Sequence, residues 1–477
     1  MRRYDYPYDQ VRYRRRTSPG RALAGLALLL GVTLEGIAAL LRSTGGDGSG
    51  LVVTGLIVAC FGLLGLRATR SASAVRVVVW SRRSRRNDGV ASSWTLLTRA
   101  SRWAMLRRAH IWRPSLAAVP WWRRWRIPAS QYAVRMARVG ALSVWSPVED
   151  VTLRVGGPRT GKSGEMADHI ADAPGAVIAT STRLDLLETV GPLRARTGPV
   201  WVFNPSGLAD VASTVGFDPL TGCSVPGTAW ARAEDMLGGA GGGDGEREYW
   251  VAQARRVLSG LLHAAALGGA TMHDVLAWTA APDAAKPTVL AYLRRSPATA
   301  DVGQFLSTND KTRTSITSTI MPALSWLMVE SAVATAAPGA VFGVAELLEA
   351  RGTVFLLGAE DGQTAPLVAA LTGHIAREAR RLAASKPGGR LDPPLTVALD
   401  EAALICPVPL DQWTADMGGR GVTIHIAVQS RAQLEQRWGP QGAAAILNNA
   451  ATVLVFGGTR DPDDLQAWVD ARRGAGR

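Results

Sequence analysis

The sequence predicts an α/β fold: a mostly parallel sheet with helices on both faces, an inserted all-α domain, and a two-helix transmembrane hairpin ahead of them. Three observations predict it. Beyond residue 150, seven short apolar runs alternate with Ala- and Leu-rich helical stretches, the pattern of a sheet covered on both sides. Residues 226–336 interrupt that alternation without a comparable strand run. Two apolar segments, residues 22–41 and 51–66, lie near the start of the chain.

The 477 residues, 47% apolar and 19% charged, suffice for at least one large core. The formal charge of +14 is unevenly placed: residues 1–150 carry 25 Arg against 7 acidic residues, and the remainder 28 basic against 32 acidic. A basic run suits nucleic acid, anionic lipid or a solvated face, and this one flanks apolar segments, which favours the membrane surface. Cys60, Cys223 and Cys406 show no CxxC spacing and the six His no HExxH. Neither a disulfide framework nor a resident metal cluster is therefore expected, and any metal arrives with a nucleotide.

Taken in order, residues 1–21 form a basic cytoplasmic N-terminus and residues 22–66 the hairpin. The first apolar segment is 20 residues long with Glu35 as its one ionisable group, and at about 1.5 Å per residue it spans a hydrocarbon core of about 30 Å. The second is shorter and needs a thinned bilayer or help from its flanks. A cleaved signal peptide is the alternative for the first, but no small-residue cleavage pattern follows. Arg12, Arg14, Arg15, Arg16 and Arg21 precede the pair, and Arg67, Arg70, Arg76, Arg82, Arg83, Arg85 and Arg86 follow it. The positive-inside rule then gives a multi-pass protein of the cytoplasmic membrane with both termini in the cytoplasm. Glu35 is expected to face a partner helix or to snorkel outward, since a carboxylate in a membrane helix costs about 2.5 to 3.5 kcal/mol on insertion scales.

Residues 67–150 form a juxtamembrane segment with many Arg and, from residue 71, eight Trp, densest at Trp121, Trp122, Arg123, Arg124, Trp125 and Arg126. Trp with Arg suits the lipid headgroup layer. The rival reading, bases stacked on Trp with phosphates on Arg, stays open. Strands are expected at residues 151–155, 176–181, 199–204, 353–358, 395–400, 422–428 and 452–456. They assign a nucleotide-binding domain to residues 151–225 and 337–470, with 471–477 as a tail. The 226–336 insertion opens with a flexible Gly-rich region at residues 238–245. It continues with Tyr249, Trp250, Val257, Leu258, Leu261 and Leu262 at helical three-to-four spacing.

The sharpest local signal is Gly156-Gly157-Pro158-Arg159-Thr160-Gly161-Lys162-Ser163, a GxxxxGKS match between a predicted strand and a predicted helix at residues 164–171. Backbone N–H groups of such a loop cradle phosphates, Lys162 reaches the β- and γ-phosphates, and Ser163 ligates Mg²⁺. ATP hydrolysis also needs a carboxylate at the end of a buried strand to hold Mg²⁺ and a second group to orient water. Asp400 and Glu401, at the end of the 395–400 run, supply them: Asp400 as the magnesium carboxylate, Glu401 as the base. A plain acidic strand end is the bland reading of that pair taken alone. Lys162 and Asp400 stand 238 positions apart, so other strands and the insertion must fall between them. A Glu directly after the Asp, and a further strand ending in Gln429-Ser430, point to a RecA-like P-loop ATPase rather than to a kinase or GTPase, with ATP and Mg²⁺ as cofactors.

Several blocks together resemble the type IV coupling proteins, the TraD/TraG group of conjugative DNA-transfer ATPases. They are the hairpin followed by the P-loop; VIATSTRLDLL (177–187) followed by VWVFNP (200–205); Tyr249-Trp250; TRTSITST (312–319); and DEAA, LDQW, GRGVTIHIAVQSRAQLEQRWG and ILNNAATVLVFGG between residues 400 and 458. The resemblance covers most of residues 20–470. It implies an ATP-hydrolysing motor that receives DNA, single-stranded and read without sequence preference, or a DNA–relaxase complex, and feeds it into a type IV secretion channel. The implied partners are relaxase and relaxosome proteins, channel components, the membrane, and five further copies in a homo-hexamer. Gln429 corresponds to the group's γ-phosphate-sensing glutamine, and Arg420 to an arginine that reaches a neighbour's nucleotide; a polar strand end and a solvated turn arginine are their plain alternatives. Asn204-Pro205 and Arg183 depart from the group's pattern, so those loops inherit no role. Members also continue past the 452–456 strand, whereas this chain ends at Arg477 in a Gly/Arg-rich tail, a departure that bears on hexamer assembly. Competing functions are an FtsK-like double-strand translocase, a docking receptor that hydrolyses ATP poorly, and a protein-secretion ATPase.

Overall fold

A helix that is apolar at every angle has no face to offer water, and the two N-terminal segments form such helices, α1 (Pro19–Ser43) and α2 (Ser49–Ala68). They meet through small residues: a Cβ on Gly31 would stand 2.7 Å from backbone atoms of Gly55 and Ala59, so the two backbones approach closely. Glu35 borders the same seam, its Cγ 3.1 Å from where a Cβ of Gly55 would be, so it faces the partner helix. Leu23, Leu26, Leu29, Val53, Ile57 and Phe61 are exposed on the outside. Among the described residues, α1 is the one helix long and apolar enough to cross a membrane; the apolar part of α2, Ser49–Leu64, is shorter. Residues 1–91 with 472–477 make one compact unit, and residues 92–471 the other.

This computed structural model describes residues 19–44, 49–68, 91–139, 142–238, 245–359, 362–457 and 462–474. The basic N-terminus before Pro19, loop residues 45–48, the arginines from Arg70 to Arg86, residues 239–244 of the Gly-rich region and residues 475–477 of the tail lie outside the described residues.

The second unit opens with a small block that the sequence did not disclose as folded structure. A helix at Ser93–Arg99, then α3 (Arg102–Trp112), pack on an antiparallel hairpin of β1 (Ala133–Val139) and β2 (Leu142–Pro147). Met105, Leu106, Ala109, Trp112, Leu116, Tyr132 and Val148 form its core, and the buried Trp112 indole donates to the Tyr132 carbonyl at 2.7 Å. A register shift between Arg135 and Ala137 breaks the alternation of β1, which is why no period-two signal stands out there.

All seven expected strands are present: β3 (Thr152–Val155), β4 (Val177–Ser181), β5 (Val200–Phe203), β6 (Thr353–Leu357), β7 (Leu395–Leu399), β8 (Val422–Val428) and β9 (Thr452–Val455). They build one parallel sheet in the order β5-β6-β4-β7-β8-β3-β9. Its central strands are buried on both faces, as continuous Val/Ile/Leu runs require. α4 (Lys162–Ala171) follows β3, two residues earlier than expected, because the P-loop lysine and serine already belong to its first turn.

Described residues between α5 (Pro226–Leu237) and Thr335 hold helices and no strand, the longest being α6 (Gly245–Gly268). This helical region is bolted to the sheet's own layer by a buried charge cluster. Asp235 of α5, fully buried, accepts from both terminal nitrogens of Arg377 on α7 (Ala365–Ala384). The Arg232 guanidinium, also fully buried, lies 4.6 Å from the Phe217 ring centroid. Gly373 on α7 leaves room for the carboxylate, since a Cβ there would stand 2.1 Å from Asp235 Oδ2.

Candidate nucleotide site

In a parallel sheet, loops after the strands share one edge, and a ligand site forms where neighbouring strands lead to elements on opposite faces. β8 lies between β3 and β7, with Val155 level with Val428 and Leu399 level with Ile426. The residues that follow, Gly156, Gln429 and Asp400-Glu401, therefore emerge side by side, although the sequence separates them widely. The amide of Gly156 donates to the Val428 carbonyl at 3.2 Å. Beside it, a Cβ on Gly156 would come within 2.6 Å of Phe456 Cβ, so the loop can begin here only with glycine.

A cleft of about 560 Å³ opens at this edge, lined by residues 158–164, Ser181, Thr182, Arg183, Asp185, Asp400, Glu401, Leu404 and Gln429. Ser163 Oγ donates to Asp400 Oδ2 at 2.6 Å, and the Thr180 hydroxyl holds the Asp400 backbone carbonyl at 2.9 Å. The other carboxylate oxygen, Oδ1, is buried without a hydrogen-bond partner. Burial pushes the Asp400 carboxyl above its ordinary range, partly offset by the Ser163 hydroxyl and the Lys162 charge. The Lys162 ammonium, itself buried, rests on the carbonyls of Gly156 and Gly157. Glu401 stands at φ +50° immediately past β7, and that turn sends its carboxylate to Gln429, whose Nε2 donates to Oε2 at 3.2 Å. The backbone N–H of Gln429 donates to Gln433 Oε1 at 2.8 Å.

These contacts fit a magnesium–nucleotide. An orphaned carboxylate oxygen beside a serine hydroxyl is a donor pair with one place to fill, and a lysine parked on its own loop's carbonyls can transfer to phosphate oxygens. Among the described residues no group of three or more His, Cys, Asp or Glu could hold an ion. Two protein ligands suit magnesium, which keeps waters and phosphate oxygens for the rest of its shell.

Residues 394–469 match the family model described as the TraM recognition site of TraD and TraG. The chain is similar to TraD and TraG over that segment. The segment spans β7 to β9 and so includes Asp400, Glu401, Arg420 and Gln429. Over the larger part of the chain the fold is that of the conjugative coupling protein TrwB. The unbound form lacking its first 70 residues aligns with TM-score 0.55 and 18% identity over 73% of this chain and 77% of that one. TrwB in complex with ADP and Mg²⁺ gives 0.56 and 19% over 71% and 78%, and its complex with the ATP analogue ADPNP gives 0.52 and 18% over 69% and 75%. No curated protein matches the chain. The RecA-like sheet with its all-α domain, and the resemblance to the type IV coupling proteins, are borne out.

Within the TraD/TraG segment one expected site residue stands apart. Arg420 ends a 3₁₀ turn, Gly418–Arg420, that precedes β8, so it lies at the opposite edge of the sheet from the cleft, partly exposed and 3.8 Å from Asp416. Below the P-loop, by contrast, is a buried network that sequence reasoning missed. Arg154, in the middle of β3 and fully buried, ion-pairs with Glu165 in the first turn of α4 and contacts His169 Nδ1. The His169 ring centroid lies 5.0 Å from that of His425 on β8. Burial holds His169 down at about 3, with Arg154 adding to the effect, and holds His425 well below its ordinary value. An arginine inside a strand run was the one available signal, since such a cation requires a buried partner.

Proposed function

We propose that this chain is a membrane-anchored coupling ATPase that binds ATP with Mg²⁺ between the P-loop and Asp400-Glu401. Its hydrolysis would drive DNA, alone or with an attached relaxase, into a type IV secretion channel. The observation that carries the reading is the convergence of Lys162, Ser163, Asp400, Glu401 and Gln429 on one cleft in a chain with a TraD/TraG segment and the TrwB fold.

In this reading Lys162 leaves the loop carbonyls for the β- and γ-phosphates, and P-loop amides from Gly157 to Ser163 cradle them. Ser163 and Asp400 hold the magnesium, which when bound draws charge from the phosphate oxygens. Glu401 orients a water and takes its proton as the oxygen attacks the γ-phosphorus and the bond to the β-phosphate oxygen breaks. Gln429 fixes the Glu401 carboxylate and reports the γ-phosphate to β8 and α8 (Arg431–Asn449), between which its backbone lies. Arg420, turned away from its own cleft, is available to the nucleotide of an adjacent subunit in a hexamer. The description of the matched segment as a TraM recognition site supports a relaxosome protein as a docking partner.

The apolar α1 supports a membrane anchor. The close α1–α2 seam and the arginines on either side of the pair support the finer topology, two passes with both termini in the cytoplasm. Purified in detergent, the full chain is expected to hydrolyse ATP faster when single-stranded DNA is added, with Lys162→Ala abolishing turnover. Absence of hydrolysis by the intact chain would contradict the motor, and stimulation by duplex alone would contradict the single-strand assignment.

A further inference from the structure

Residues 92–147 contain ten Arg and no Asp or Glu. The block is held firmly at the sheet edge opposite the nucleotide cleft. Arg113 pairs with Asp392, just before β7, and the Ser115 amide donates to the same carboxylate at 2.6 Å. Arg390 donates to the carbonyls of Ile111 at 2.9 Å and Gly419 at 3.1 Å. The block is thus tied to the residues that lead into β7 and β8.

The outer face of the block is apolar and cationic at once. On α3 the residues Ala104, Met105, Leu106, Ala109 and Trp112 are buried, which leaves Trp103, Arg107, His110 and Ile111 as an exposed stripe at helical spacing. Trp103 is 43% exposed and Ile111 56%. A second tier, Trp122 to Arg126, is tied to the start of α3, because Arg102 donates to the carbonyls of Trp125 at 3.0 Å and Ile127 at 3.1 Å. Trp122 and Trp125 are 54% and 47% exposed. The core of the block is complete without these rings, so folding does not account for them.

We propose that this surface lies on the headgroup layer of an anionic bilayer. Indole rings at the boundary, with guanidinium groups reaching lipid phosphates, match the residues present. Two observations favour lipid over the other occupants. Arg107 and Arg123 lie over the faces of Trp103 and Trp122, 4.5 and 4.7 Å from the ring centroids. Nucleic-acid bases need those faces, whereas a headgroup layer needs only the ring edges. A second copy docked on this face by two-fold symmetry would bring the same uncompensated cations against each other. The inference rests on the membrane reading above.

The test reconstitutes the full chain into vesicles of phosphatidylcholine, with or without phosphatidylglycerol, and follows amide exchange by mass spectrometry. Peptides from residues 93–127 are expected to exchange at least about threefold more slowly in the anionic vesicles, with β3 and the P-loop unchanged. Combined Trp103→Glu, Trp122→Glu and Trp125→Glu substitutions should remove the difference, as should the gentler combination of Arg107→Gln, Arg123→Gln and Arg126→Gln. Both variants should keep basal ATP hydrolysis. Equal exchange in the two vesicle types overturns the proposal. So does slowing produced by a single-stranded oligonucleotide in place of anionic lipid, or by protein concentration without lipid. A chain that stays out of the vesicle fraction contradicts the anchor instead, and adding the same vesicles to the soluble chain then still decides what this surface binds.

Discussion

Glu401 occupies a backbone conformation that a residue with a side chain adopts at a cost of roughly 1 to 3 kcal/mol. The cost is met where β7 must end and its last side chains must turn in different directions: Asp400 toward Ser163, Glu401 toward Gln429. Two adjacent carboxyls thereby have separate tasks, and substitutions should separate them. Glu401→Gln is expected to lower kcat by about 10² to 10⁴ with nucleotide affinity nearly unchanged. Asp400→Asn should instead weaken the magnesium dependence of binding. Steady-state hydrolysis alongside fluorescent-nucleotide titration at several Mg²⁺ concentrations checks both, and equal effects on binding from the two variants would refute the division. Much of this was legible residue by residue, because GxxxxGKS and an apolar strand ending in Asp-Glu state their chemistry locally. The Glu401–Gln429 contact was not, since no spacing in the sequence says that β8 inserts itself between β3 and β7.

At the scale of elements, the strands were legible because a sheet buried on both faces must be written as unbroken apolar runs. The β1–β2 hairpin was not, because its pairing slips at Arg135–Ala137 and arginines occupy positions where apolar residues would advertise a strand. The joints between elements were also hidden, being polar and far apart in sequence. One such joint is Asp235 between Arg377 and the space left by Gly373. Gly373→Ala should drive a methyl into that carboxylate and destabilise the fold by roughly 2 to 4 kcal/mol, read as a lower urea midpoint; an unchanged midpoint would show that α5 and α7 are not so locked. A second joint, Arg154–Glu165–His169 against His425, makes stability depend on pH. Unfolded, each histidine titrates near 6.5; folded, His169 is held at about 3 and His425 well below its ordinary value. Between those values the unfolded chain binds protons that the folded chain refuses. The contribution is therefore full above pH ~6.5 and falls as pH drops below it, by about 1.4 kcal/mol per pH unit for each histidine. Glu165, raised by burial, acts in the opposite direction at lower pH, so the comparison that isolates the effect is the slope in His425→Asn, expected to lose about one proton's worth. An unaltered slope would mean that His425 is already protonated in the folded state.

For the whole molecule, the placement of Arg420 decides whether one copy is sufficient. The cleft lies at the C-terminal edge of the sheet, and Arg420 precedes β8 at the other edge. No rearrangement short of unfolding β8 brings it to its own Lys162. If Arg420 serves catalysis it does so across a subunit boundary, so hydrolysis per chain should rise with protein concentration. Lys162→Ala and Arg420→Ala should each be inactive alone, yet a mixture should recover activity, because some boundaries then pair an intact Lys162 from one subunit with an intact Arg420 from the next. With random mixing in a closed ring, about one boundary in four is complete, which caps recovery at roughly a quarter of the wild-type rate. Recovery near that level, absent when either variant is mixed with a Lys162→Ala/Arg420→Ala double variant, would establish a shared site. An Arg420→Ala chain with full activity would reduce the residue to a solvated turn, its ion-pair partner among the described residues being Asp416 at 3.8 Å.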